Sequence, residues 1–124
     1  RHILPNSFEN EVTVSRSAIL NSIERASIVA KNDRYNVIRM DIHENSMLIS
    51  AKSEIGNVNE NVNINLKGKD LTIAFNGKYL TDYLKTETAD FIVMNLNSAI
   101  DPCVLKAKES EDFIYLVLPV RINA

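Results

Sequence analysis

The chain has 124 residues, of which 45% are hydrophobic and 24% charged, with a formal net charge of -2 and one cysteine. That length supports one domain with a core of its own, and the near-balanced charge excludes the global phosphate attraction of a dedicated nucleic-acid binder. Lone Cys103 excludes an intramolecular disulfide, and the lack of a CxxC or Cys/His cluster argues against structural zinc.

The opening Arg1-His2-Ile3-Leu4-Pro5 has no initiator Met, no charged n-region and no apolar h-region. It reads as the continuation of a longer protein rather than a signal peptide. Alternating apolar residues then predict a strand over 11–14. A helix over 15–30 follows, with Ile19, Ile23, Ala26 and Ala30 on one stripe and Ser15 or Ser17 as N-cap. Three strands follow over 37–43, 47–53 and 58–66, the last with asparagines alternating through 57–65 on its solvent side. A fifth strand over 71–75 leads into a second helix over 78–85, capped by Asn76 and clustering Tyr79, Leu80, Tyr83 and Leu84. Strands over 91–97, 103–109 and 113–121 complete the chain. The intervening segments carry turn-forming residues, so most neighbouring strands should be antiparallel.

The order strand, helix, three strands therefore occurs twice. Ile19-Leu20 answers Tyr79-Leu80 and Met40 answers Met94, at an offset of about 54 to 60 residues. One domain over 1–124 with internal halves of about 1–67 and 68–124 is expected. Its fold class is α+β, with antiparallel sheets on one side and both helices on the other.

Few residues offer chemistry. His43 reads as a surface strand residue, and Cys103 as a small core side chain rather than a nucleophile. Asp41, Asp82, Asp90 and Asp101 lie singly, without the spacing of a two-metal or glycosidase site. The three glycines, Gly56, Gly68 and Gly77, build no phosphate-binding loop. No catalytic residue, metal or cofactor is expected. The apolar runs are of strand length, well short of the roughly 20 residues of a membrane helix, and a reducing, cytoplasmic setting without a membrane partner fits best.

Several strings are specific: the opening Arg1 to Pro5, Arg25-Ala26-Ser27-Ile28-Val29 late in the first helix, Ile73-Ala74-Phe75-Asn76 followed by Tyr79-Leu80, and the ending Tyr115-Leu116-Val117-Leu118-Pro119-Val120-Arg121-Ile122. Together they resemble the third domain of the bacterial DNA polymerase III beta sliding clamp family over essentially the whole chain. The resemblance implies the DNA-clamp fold. It also implies a non-catalytic processivity role in DNA replication, as part of a homodimeric ring that encircles duplex DNA beside a DNA-directed DNA polymerase.

The same resemblance implies the partners and the residues that meet them. The partners are a second clamp subunit joined head to tail, duplex DNA held weakly and without sequence preference, and clamp-binding peptides of the DNA polymerase III alpha subunit, the clamp loader and repair proteins. A peptide pocket would use His2, Ile3, Leu116, Leu118, Pro119, Val120 and Arg121. The family commonly has arginine at the place of His2 and methionine at those of Leu118 and Val120, so the general peptide class carries over and the exact preference does not. The subunit interface would use Ile28, Val29, Glu54 and Glu60. The helical wheel points independently to Ile28, which falls opposite the apolar stripe, where a branched side chain needs a partner. DNA-facing candidates are Arg16, Arg25, Lys31, Lys78 and Lys85, diluted by Glu24, Asp82 and Glu87. The rival reading is a stand-alone peptide-binding or dimerisation module of the same fold. The isolated domain is expected to be a monomer.

Overall fold

A computed structural model describes residues 8–30, 36–108 and 114–121. The first unit runs β1 (Asn10–Ser15), α1 (Arg16–Ala30), β2 (Val37–Ile42), β3 (Ser46–Ser53) and β4 (Gly56–Lys67). The second runs β5 (Leu71–Asn76), α2 (Gly77–Thr86), β6 (Phe91–Leu96), β7 (Cys103–Ala107) and β8 (Ile114–Val117). All strands pair antiparallel in the order β5-β2-β3-β4-β1-β6-β7-β8. Both helices pack on one side. The expected α+β duplication is the observed architecture.

The pairing register repeats between the units. β1 meets β6 with Asn10 opposite Leu96 and Ser15 opposite Phe91, just as β5 meets β2 with Leu71 opposite Ile42 and Asn76 opposite Val37. Thr13 opposite Asn65 in the first unit is matched by Ala74 opposite Val120 in the second. Period-two alternation decides which face each side chain takes. Val12, Val14, Ile38, Met40, Ile42, Met47, Ile49, Val62 and Ile64 turn inward to a buried core shared with Ile19, Ile23, Leu80 and Leu84 of the helices. Asn57, Asn59, Asn61, Asn63 and Asn65 of β4 turn outward to solvent.

The caps follow from donor accounting at helix starts. The Ser15 Oγ accepts from the Ala18 N–H at 3.3 Å, and the Asn76 Oδ1 accepts from the Lys78 N–H at 2.9 Å. Helix α2 begins one residue earlier than expected, at Gly77, which lies against α1. A Cβ there would fall 2.8 Å from Ile38 Cγ1 and 2.9 Å from Ser27 Oγ, so the absence of a side chain permits the contact.

Every strand differs from its expected range by a residue or more at one end or both, and three of the strand ends bear on the surfaces described below. β2 ends at Ile42 because the His43 N–H donates to the Ser46 carbonyl in the turn. β7 ends at Ala107 rather than at 109, which lies outside the described residues. The last strand ends at Val117 instead of running to 121, because Pro119 has no N–H to continue the ladder. The chain then crosses over, and the Val120 N–H donates to the Ala74 carbonyl of β5 at 2.8 Å.

Candidate interaction surfaces

Among the described residues, two open stretches of sheet edge carry the expected site residues, one in each unit. Residues 56–62 of β4 pair only with β3, because β1 takes up β4 from Ile64 onward. Strand β8 pairs only with β7. Each unpaired edge leaves backbone donors and acceptors available to another strand.

The β8 side carries the residues expected of the peptide pocket. Tyr115 and Val117 turn inward, and the Tyr115 ring stacks on Tyr83 of α2 with centroids 5.2 Å apart. Ile114, Leu116 and Leu118 therefore turn outward, with exposures of 42%, 37% and 67%. Pro119 and Val120 are half-buried, and Arg121 is exposed. The result is an apolar stripe beside an open edge. His2 and Ile3 lie outside the described residues.

The β4 side brings together the residues expected of the subunit interface. Ile28 is 60% exposed on α1, Val29 is half-buried and Glu54 exposed. Ile55, at the tip of the β3–β4 hairpin, is 64% exposed and was not foreseen. Its only local signal is an apolar residue inside a tight turn between Glu54 and Gly56. Glu60 accepts from the Arg25 Nη2 at 2.8 Å, and that hydrogen bond from α1 holds its carboxyl below the usual range.

The helix face is less positive than a list of its cations suggests. Arg25 answers Glu60, Lys78 lies 3.5 Å from Asp82, and Lys85 lies 3.4 Å from Glu24. Arg16, expected to face DNA, is half-buried and engaged by the backbone. Its Nε donates to the Ala89 carbonyl, beyond the end of α2, at 2.8 Å, and its Nη1 donates to the Leu84 carbonyl in the last turn of α2 at 2.9 Å. Lys31 lies outside the described residues.

His43 is exposed and its Nδ1 lies 3.0 Å from an Asp70 carboxylate oxygen. Cys103 is buried, and desolvation pushes its thiol well above the usual range. Among the described residues no group of three or more His, Cys, Asp or Glu side chains is placed to hold a metal, and no helix is long and apolar enough to cross a membrane.

The family model for the C-terminal domain of the DNA polymerase III beta subunit matches residues 1–121. The beta sliding clamp of Staphylococcus epidermidis is 32% identical over 121 residues, covering 96% of this chain and 32% of that protein. The structure of the DNA polymerase III beta subunit of Thermotoga maritima superposes with a TM-score of 0.94 at 31% identity, over 98% of this chain and 33% of that one. The DNA polymerase sliding clamp of Bacillus subtilis superposes with a TM-score of 0.93 at 31% identity, over the same shares. The chain thus spans about a third of the length of the curated relatives it matches.

Proposed function

The chain belongs to the family of C-terminal domains of the DNA polymerase III beta subunit, and from that premise we propose that it is one segment of a ring-shaped replication clamp. The carrying observation is the pair of open sheet edges, one per unit, each with exposed apolar side chains beside it. A ring needs every segment to join two neighbours through different surfaces, which is a heterologous contact that closes by rotation. The β4 edge with Ile28, Val29, Ile55 and Glu60 suits the seam with a second subunit. The β8 edge suits the neighbouring domain of the same subunit.

In this reading the chain catalyses nothing. A ring around duplex DNA keeps the polymerase near its template, which raises the effective concentration of enzyme at the primer end without bond chemistry. The paired charges on the helix face suit that role, since a sliding ring must attract phosphates without gripping them. Leu116, Leu118, Pro119, Val120 and Arg121 form one wall of a groove for short apolar peptides of polymerase and clamp-loader subunits. Apolar anchors supply affinity there, and Arg121 supplies a donor for a peptide carbonyl or carboxylate.

Sedimentation of the complete subunit, wild type against Ile28→Asp, tests the ring. Covering the exposed 60% of Ile28 contributes about 1–2 kcal/mol at a seam, and a buried carboxylate reverses that gain. A shift from dimer to monomer is expected. An unchanged dimer would favour the stand-alone peptide-binding module.

A further inference from the structure

The outward face that begins at the proposed peptide wall continues across the sheet. Val120 lies opposite Ala74, Ala74 opposite Arg39, Arg39 opposite Ser50, and Ser50 opposite Asn59. Along this row and beside it, Val37, Arg39, Asp41, Ser50, Lys52 and Ala74 line an open depression of about 510 Å³. Its floor near the wall is apolar, through Ala74 and Val37, and its far side is charged.

The charges do not cancel. Asp41 accepts from the Arg39 Nε and Nη2 at 3.3 Å each and from the Thr72 hydroxyl at 2.7 Å, so its carboxylate is engaged by its neighbours. Lys52 is exposed, and no carboxylate among the described residues lies within ion-pairing distance of it. Two cations and one carboxylate leave the depression with an excess positive charge that suits an anionic side chain.

We propose that this depression is a second subsite of the peptide groove and takes a carboxylate side chain of the bound peptide, paired with Lys52 and with Arg39 beside it. The proposal rests on reading Leu118 to Arg121 as the peptide wall. Geometry sets the spacing. From the segment of Val120 to β3 is three strand steps of about 4.8 Å, or roughly 14 Å, and an extended peptide covers that distance in about four residues. Partners of this clamp therefore carry Asp or Glu about four residues from the apolar side chain that sits on Leu118 and Val120. Lys52 selects among peptides that share the same anchor.

The test uses the complete subunit and fluorescein-labelled synthetic peptides with a Leu-Phe anchor. Asp or Asn is placed four residues away, on the N-terminal side in one pair and the C-terminal side in the other. In one of the pairs the Asp peptide should bind about threefold more tightly at low salt, as for an exposed ion pair. Lys52→Gln, or salt at about 0.5 M, should erase that preference and leave the Asn peptide unchanged. Leu118→Asp should remove binding of both. Equal affinity for Asp and Asn in both pairs, with binding still lost in Leu118→Asp, overturns the second subsite and leaves the wall standing. A preference that survives Lys52→Gln also overturns it. Retention of both peptides by Leu118→Asp overturns the wall and the subsite together.

Discussion

Leu118 is the most exposed large apolar side chain among the described residues, at 67%, while its neighbour Val117 is 3% exposed. The two therefore separate binding from folding. Full burial of a leucine side chain contributes about 1.5–3 kcal/mol, so covering the exposed two-thirds of Leu118 with a peptide contributes about 1–2 kcal/mol. Leu118→Ala removes most of that contact and should weaken an apolar clamp-binding peptide by about 5- to 30-fold. Folding stability should change by no more than about 0.5 kcal/mol, as for a surface substitution. Val117→Ala leaves a cavity against the core and should cost about 2 kcal/mol of stability. Fluorescence anisotropy with the labelled peptide and urea unfolding of the same preparations measure both quantities. The reasoning is refuted if Leu118→Ala binds as tightly as wild type, or if it destabilises the fold as much as Val117→Ala does.

Gly77→Ala should destabilise by about 1–3 kcal/mol, because its new methyl group enters the α1–α2 contact beside Ile38 and Ser27. A glycine-to-alanine change in a relaxed helix would instead stabilise by up to about 1 kcal/mol, so the sign of the shift in a thermal melt decides. The Glu87 carboxylate accepts from the N–H groups of Ala89 and Thr88 and from the Tyr83 hydroxyl, and the Ala89 bond leads in lowering its pKa. A lowered folded-state pKa gives stability that is present above the ordinary value of 4.5 and is lost as pH falls through the folded-state value. Glu87→Gln should therefore be less stable than wild type in urea at pH 7, with the gap closing as pH falls below 4.5 and through the lowered folded-state value.

The sequence was most legible where the rule was local. Alternation marked the strands expected over 37–43 and 58–66, and side-chain oxygens marked the helix starts, at Ser15 or Ser17 for the first, where the structure selects Ser15, and at Asn76 for the second. The exposure of Ile28 followed from a helical wheel alone. The contacts that were missed join residues far apart in the chain. Arg16 reaches carbonyls 68 and 73 residues away, and Arg25 reaches Glu60 across 35 residues. Nothing near Arg16 distinguishes a side chain that caps another helix from one that faces solvent. The end of β8 was half legible. Pro119 forbids a regular ladder, but the return of Val120 to β5 depends on a partner strand 46 residues earlier.

Duplication has left the two units with the same register and different surfaces. Leu48 opposite Asn61 in the first unit corresponds to Val104 opposite Leu116 in the second, so Asn61, Asn63 and Asn65 occupy the places of Leu116, Leu118 and Val120. On the β4 edge the outward row is polar, and the exposed apolar residues are Ile28 on the helix and Ile55 at the hairpin tip. On the β8 edge the outward row is itself apolar. If one copy of this chain set its β8 edge against the β4 edge of another, the sheet would continue with matching faces, and Ile114 and Leu116 would lie beside outward asparagines. That arrangement covers apolar surface with carboxamides that lose water in the process, a poor exchange. The two edges therefore do not complement each other, and each requires a neighbour with a different surface. The isolated chain should sediment as a monomer up to about 100 μM, a concentration at which a contact of about -5.5 kcal/mol would be half-formed. Concentration-dependent dimers or larger rings of this chain alone would show that backbone pairing at the open edges outweighs the mismatch of their side chains.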